Sequence, residues 1–188
     1  INDHFVDTVR FLTSIKGRIV VTGIGKSAII AQKIVATFNS TGSPSIFMHA
    51  ADAIHGDLGI IQKNDAIICI SKSGDTPEIK VLVPLLRNWG NKLIAIVGNT
   101  DSYLGKNCDY VLNTFVAKGA CPNNLAPTSS SAAQLAMGDA LAVCLLDEKG
   151  FTSKDFAKYH PGGALGKKLY LKVKDIYPAN AAPKVNIN

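Results

Sequence analysis

The stretch from Ser71 to Glu78 gathers more chemistry than a plain connection requires. Ser71, Ser73 and Thr76 bring hydroxyls, Gly74 permits a tight turn, and Asp75 adds a carboxylate. Thr76 suits a helix N-cap, Pro77 the first helical position and Glu78 the first turn. Hydroxyls, backbone N–H groups and the positive end of a helix dipole would then meet at one point. That is the make-up of an anion site, and phosphate is the usual anion. The plainer reading is an ordinary capped strand-to-helix turn. Two other stretches weigh against it: the turn Gly23–Ser27, with Gly25, Lys26 and Ser27, and the run Thr128–Ser131, with Ser129 and Ser130. Each precedes a helical pattern. Three hydroxyl-rich helix N-termini around one crevice suit a phosphorylated ligand better than coincidental capping does.

Glu78, beside the proposed phosphate loop, is a candidate proton-transfer base. A glutamate there also complements the helix dipole, an effect of about 0.3–1 kcal/mol. Lys26 is placed to hold an anion or an enolate. His55 and His160 both stand in glycine-containing, irregular segments, where a lone histidine is more often structural. His160 gains weight from Pro161-Gly162-Gly163, which fixes the local chain and leaves the ring room.

Gly23–Ala28 also fits the dinucleotide pattern G-x-G-x-x-A. A dinucleotide domain needs an acid near the end of its second strand to hold the ribose. Here that strand ends Met48-His49-Ala50-Ala51, with Asp52 a poor substitute. The spacing before Gly25-Lys26-Ser27 does not make a Walker A loop. Neither the histidines nor Cys69, Cys108, Cys121 and Cys144 have metal-ligand spacing, so neither a metal nor a cofactor is expected.

The elements that must position these residues alternate in type. An amphipathic helix from Asp3 to Ile15 leads into a strand at Arg18–Thr22, the glycine turn and an apolar helix from Ala28 to Phe38. A second strand at Ser45–His49 precedes a short helical segment holding His55. The apolar run Asp65–Ile70 reads as a buried central strand, followed by a helix from Pro77 to Trp89 that Pro84 is expected to bend. Strands at Lys92–Val97 and Asp109–Asn113 flank a short helix at Ser102–Asn107. The longest helix, from Ala132 to Lys149, is apolar round most of its circumference, which predicts burial nearly all round, at a domain's centre or in a subunit interface. Short helices at Thr152–Tyr159 and up to Tyr170 follow, then an extended stretch over Lys172–Tyr177. This alternation predicts an α/β fold with a parallel sheet and right-handed crossovers. Such sheets bind ligands beyond the carboxyl ends of the strands at a topological switch point.

Composition narrows the function classes. In 188 residues, 47% are hydrophobic and 18% charged, which describes a compact globular chain. The net charge of +6 raises nucleic acid as a partner, but aromatics are only 7% and the densest basic stretch, Lys167–Lys174, alternates with Leu and Val. We therefore expect neither nucleic acid nor membrane as partner. No apolar run reaches the roughly 18 residues of a membrane helix, no secretory signal is present, and a cytoplasmic location is expected.

Longer segments carry a family resemblance. Val21–Ser27, Ala36–Ser45, His55–Gly59, Ile70–Ile79, Ala120–Ser130, Met137–Val143, Gly150–Leu169 and Val173–Ile176 together resemble the sugar isomerase (SIS) domain family, and within it the D-arabinose 5-phosphate isomerases. The resemblance implies a three-layer αβα sandwich with a five-stranded parallel sheet, flavodoxin-like or Rossmann-like, in a homotetramer. It also implies interconversion of D-ribulose 5-phosphate and D-arabinose 5-phosphate through an enediol(ate), entering Kdo synthesis for lipopolysaccharide or capsule, with no cofactor. Carried over by residue, Gly25, Ser27, Ser71, Ser73, Gly74, Asp75, Thr76, Ser129 and Ser130 would bind the substrate. Lys26 would stabilise the enediolate, Glu78 and His160 would transfer protons, and His55 would position the substrate from a neighbouring subunit.

Three departures stand out. Gly119 occupies a place where relatives usually carry Glu, and Lys72 and Asp75 stand where Asn and Glu are usual. Many relatives also continue into paired CBS domains, whereas a single SIS domain over residues 1–177 with a loose tail over 178–188 is expected here. CMP-Kdo is a possible active-site inhibitor. The alternatives are a non-catalytic sugar-phosphate sensor and an isomerase of another sugar phosphate.

Overall fold

A computed structural model describes residues 2–123 and 125–172. The chain forms two compact units, one over Ile1–Gly150 and a second that begins at Phe151. The first contains α1 (Asp3–Ser14), β1 (Ile19–Gly23), α2 (Lys26–Ser40), β2 (Ser45–His49), α3 (Ala50–Ala53), β3 (Ala66–Ser71), α4 (Pro77–Asn88), β4 (Lys92–Val97), α5 (Tyr103–Asn107), β5 (Tyr110–Asn113) and α6 (Ser129–Glu148). A 3-10 turn, Asp57–Ile60, lies between α3 and β3. The second unit contains α7 (Ser153–Tyr159) and α8 (Ala164–Tyr170). The extended stretch expected over 172–177 and the tail from Pro178 lie, beyond Lys172, outside the described residues.

All five strands are parallel, in the order β2-β1-β3-β4-β5. This is the flavodoxin-like order, with its switch point between β1 and β3, rather than the order of a dinucleotide-binding sheet. The dinucleotide pattern at Gly23–Ala28 is thus a look-alike turn on a different topology. β1 and β3 are buried along their whole length, as parallel strands covered on both faces must be.

Strand alternation feeds two cores. Ile19, Val21, Ile68, Ile70, Ile94 and Ile96 face one side and pack with α1, α2 and α6. Val20, Ile67, Cys69, Leu93, Ala95 and Val97 face the other and pack with α3, α4 and α5. The result is the three-layer sandwich that the resemblance implied. Each fully buried Ile or Leu stabilises it by roughly 1.5–3 kcal/mol.

Within this single chain, helix α6 is buried on one face. Its buried residues, Ser130, Gln134, Gly138, Leu141, Ala142 and Leu145, form one face, while Val143 is 62% exposed. It is long and apolar enough to cross a membrane by length and composition alone, yet this face is in the core with α1 and α2. Gly138 lets α6 lie close to α2, since a β-carbon there would stand 2.3 Å from Ile34 Cδ1. Beside that contact, Lys33 of α2 pairs with Asp139 of α6. At the amino ends of the strands, the buried carboxylate of Asp65 accepts bonds from the Arg18 backbone (2.8 Å), the Arg18 guanidinium (2.9 Å) and the Gln62 backbone (3.0 Å). That cluster ties the start of β1 to the start of β3, opposite the candidate site.

Candidate functional site

A cavity of about 250 Å³ opens at the carboxyl ends of β1 and β3, at the switch point. Ile24, Lys26 and Ser27 line it from the β1–α2 turn. Ile70, Ser71, Lys72 and Thr76 line it from the β3–α4 loop, and Pro127, Ser130, Ser131 and Gln134 from the start of α6. Its size lies below the range for drug-sized ligands, which suits a small polar molecule.

The loop after β3 is held by its own groups. Ser71 Oγ accepts from the Gly74 N–H at 3.0 Å, and Ser73 Oγ accepts from the Asp75 N–H at 3.3 Å. Gly74 adopts φ +73°, and a β-carbon on it would stand 2.0 Å from Ser102 Oγ, so only glycine lets the loop lie against α5. The Asp75 carboxylate pairs with Lys80 at 3.1 Å and accepts from the Tyr103 N–H at 3.3 Å. The Lys80 hydrogen bond, then the Tyr103 N–H, hold the Asp75 carboxyl below its ordinary range. Ser73, Gly74 and Asp75 therefore shape the loop and do not line the cavity.

Three helix N-termini meet there, and none of the three is capped by a side chain. Gly25 precedes α2 and has no side chain to offer. Thr76 stands at the N-cap of α4, as expected, but its hydroxyl makes no capping bond; Oγ1 is buried without a hydrogen-bond partner among the described residues. Thr128, at the N-cap of α6, instead accepts from the Ala120 N–H at 2.8 Å and so anchors the preceding loop. By contrast, α1 and α5 of the same unit are capped by Asn2 and Ser102. Leading N–H groups without a side-chain cap present partial positive charge to whatever enters the cavity. Lys26 and Lys72 add full positive charges, and neither has a carboxylate within ion-pair distance among the described residues. Uncapped donors, hydroxyls and two cations without a carboxylate partner among the described residues are the make-up of an anion cradle.

Of the residues singled out from sequence, Lys26, Ser27, Ser71, Thr76 and Ser130 line this cavity. Gly25 and Ser129 adjoin it in the chain, as cap and first residue of their helices. Glu78 lies on the first turn of α4, half-buried and outside the lining. His55 is exposed in the turn after α3 and is also outside the lining.

His160 belongs to the second unit. Its Nδ1 lies 2.8 Å from the Phe156 carbonyl, and its ring stacks on that of Phe156 with centroids 3.9 Å apart. A carbonyl oxygen only accepts, so Nδ1 carries the proton and Nε2 keeps the lone pair in the neutral ring. Gly166 lets α8 pack on this corner, since a β-carbon there would stand 2.2 Å from the His160 carbonyl oxygen.

Sequence reasoning placed Lys72 and the run Thr128–Ser131 near the phosphate but did not single out Gln134, Pro127 or Ile70, which also line the cavity. Gln134 had one available signal, its i+4 spacing from Ser130, which puts both on one helix face.

The SIS domain family profile matches residues 11–144. Arabinose 5-phosphate isomerase KdsD of Pseudomonas aeruginosa is 51% identical over 176 residues, covering 94% of this chain and 54% of that protein. Arabinose 5-phosphate isomerase KpsF of Escherichia coli O6:H1 is 49% identical over 168 residues, covering 89% of this chain and 51% of that protein. The chain spans about half the length of these curated relatives. A solved Escherichia coli CFT073 protein in complex with arabinose 5-phosphate is similar with a TM-score of 0.82 at 44% identity, covering 85% of each chain.

Proposed function

The chain belongs to the SIS domain family, and on that premise we propose that it interconverts D-ribulose 5-phosphate and D-arabinose 5-phosphate. The observation that carries this reading is the set of three helix N-termini without side-chain caps and two lysines without a carboxylate partner among the described residues, around one small cavity at the switch point. Relatives near 50% identity that bear the isomerase name, and a similar structure holding arabinose 5-phosphate, support the choice of sugar.

The phosphoryl group would occupy the cradle of Ser71, Thr76, Ser130 and Ser27, with Gly25 and Ser129 offering backbone N–H groups. Ser73, Gly74 and Asp75 act by holding the loop in shape. A base then removes the C1 proton of the ketose, leaving an enediolate whose oxygens the Lys26 ammonium stabilises. Return of a proton to C2, with proton shift between the two oxygens, gives the aldose, and no electrons leave the substrate. Glu78 is proposed as the carbon acid–base group. His160, with Nε2 unprotonated, is proposed to open the furanose hemiacetal of the aldose, and His55 to position substrate from a neighbouring subunit. The proposal extends to a cytoplasmic homotetramer feeding Kdo synthesis for lipopolysaccharide or capsule. CMP-Kdo is proposed as an active-site inhibitor; calorimetry without heat at millimolar ligand removes that part.

Proton NMR in D2O with D-ribulose 5-phosphate tests the reaction. D-Arabinose 5-phosphate deuterated at C2 should accumulate, and Glu78→Gln should slow it by about 10²–10⁴-fold. Full activity in Glu78→Gln moves the base elsewhere, and no turnover by the unaltered protein refutes the isomerase.

A further inference from the structure

Gln134 is the buried polar side chain in the cavity wall that the phosphate cradle does not account for. It is 3% exposed, and its Nε2 is buried without a hydrogen-bond partner among the described residues. Buried amides are nearly always partnered, and the exceptions call for a physical reason. Here the helix face continues from Gln134 through Gly138, Leu141, Ala142 and Leu145 into the apolar core. A side chain of that character would be more stable at this position if nothing polar ever arrived. Its place in the cavity wall points to a partner that comes from the cavity.

We infer that Gln134 is a substrate-binding residue that holds a hydroxyl of the sugar chain rather than the phosphoryl group. The inference rests on the sugar-phosphate reading above and adds the part of the ligand that this side chain addresses. Two arguments select the sugar end. Gln134 is the sixth residue of α6, past the first turn where the helix dipole and the free N–H groups act on an anion. An amide also offers one donor and one acceptor group, which a hydroxyl can use together by accepting from N–H and donating to C=O. A phosphate dianion only accepts and would leave the carbonyl idle. Gln134 lies one turn beyond Ser130 on the same face. A pentose phosphate anchored at the helix start would therefore run its carbon chain along this face. Sugar phosphates that present no hydroxyl at that depth would be discriminated against, because the amide would stay unpartnered.

The test is titration of the whole protein with D-arabinitol 5-phosphate, which lacks the carbonyl and cannot turn over, and with inorganic phosphate. Both are followed by phosphorus NMR on wild type, Gln134→Met and Gln134→Leu. Each variant should bind the alditol phosphate about tenfold more weakly and inorganic phosphate within about twofold of wild type. Phosphate binding thereby reports that the variants are folded. A second readout needs no variant to fold. In wild type, the Gln134 side-chain amide resonances should shift with the alditol phosphate and stay in place with phosphate alone.

Equal weakening of both ligands, or an amide shift with phosphate alone, would assign Gln134 to the phosphate cradle and overturn the inference. Unchanged affinity for both would make it wall and overturn the inference as well. Wild type that binds phosphate but holds the alditol phosphate no more tightly would instead refute the sugar-phosphate reading, and the inference with it.

Discussion

Replacing Gly74 with alanine should cost far more stability than the same change at Gly90, although both have nearly the same backbone angle. Gly74 has φ +73° and Gly90 φ +82°. In this left-handed region alanine costs roughly 1–2 kcal/mol more than glycine. At Gly90 a β-carbon meets nothing within 4 Å, so that penalty is the whole effect. At Gly74 the same β-carbon would stand 2.0 Å from Ser102 Oγ and 2.8 Å from Val97 Cγ2. Ser102 cannot give way freely, because its hydroxyl donates to the Asn99 carbonyl at 2.6 Å and accepts from the Gly105 N–H at 3.3 Å as the cap of α5. Losing a cap costs about 1 kcal/mol, and crowding a fully buried valine adds roughly 1–3 kcal/mol.

Gly74→Ala should therefore lose about 3–6 kcal/mol against about 1–2 kcal/mol for Gly90→Ala. With a urea dependence near about 2 kcal/mol per molar, the two unfolding midpoints should differ by roughly 1 M or more. Equilibrium urea unfolding followed by circular dichroism measures both. Midpoints that coincide would show that the loop yields at no cost, and would refute the claim that Gly74 holds it against α5. Residual activity of Gly74→Ala at low temperature should also fall, because Ser71 and Thr76 flank the displaced residue.

Further outcomes follow from the same geometry. Burial opposes ionisation of Asp65, but hydrogen bonds from Arg18 and Gln62 and the Arg18 charge outweigh it and hold the carboxyl below its ordinary range. Its stabilising contribution is therefore present above the unfolded value of about 3.9 and is lost as pH falls through the lower folded value. Asp65→Asn should flatten the acid limb of a stability–pH curve below about pH 4; an unchanged limb would contradict it. Gly138→Val should lose about 1–3 kcal/mol by driving into Ile34, part of which Ile34→Ala in the same chain should restore in a double-mutant cycle. Burial pushes the Cys69 thiol up to about 12, so it should stay unlabelled by a thiol reagent at about pH 8 until the protein is unfolded. Lys72→Ala should raise KM for the sugar phosphate several-fold and lessen its salt dependence while leaving kcat within about twofold, since an exposed charge contributes about 1 kcal/mol.

Much of the first unit was legible in the chain, and for a simple reason. The apolar runs at β1, β3 and β4 are buried on both faces, so their hydrophobicity is continuous, and each ends at glycine or hydroxyl punctuation. The turn after β3 was equally plain, because Ser71, Gly74, Thr76 and Pro77 each answer a local demand of a strand-to-helix connection. What the chain hid depended on contacts between distant segments. Nothing local distinguishes Thr76 and Thr128 from ordinary caps, yet the Thr76 hydroxyl makes no capping bond and the Thr128 hydroxyl accepts from the Ala120 N–H instead. The apolar circumference of α6 suggested burial all round, yet only one face meets α1 and α2. Gln134 is a polar residue in a largely apolar helix, and only folding put it in the cavity wall.

A crystal structure of the protein with D-arabinitol 5-phosphate would show where the phosphoryl group binds. Phosphoryl density is expected within hydrogen-bond distance of the Ser71, Thr76 and Ser130 hydroxyls and of the first N–H groups of α4 and α6. A phosphoryl group bound elsewhere, with that cradle occupied only by water, would contradict it.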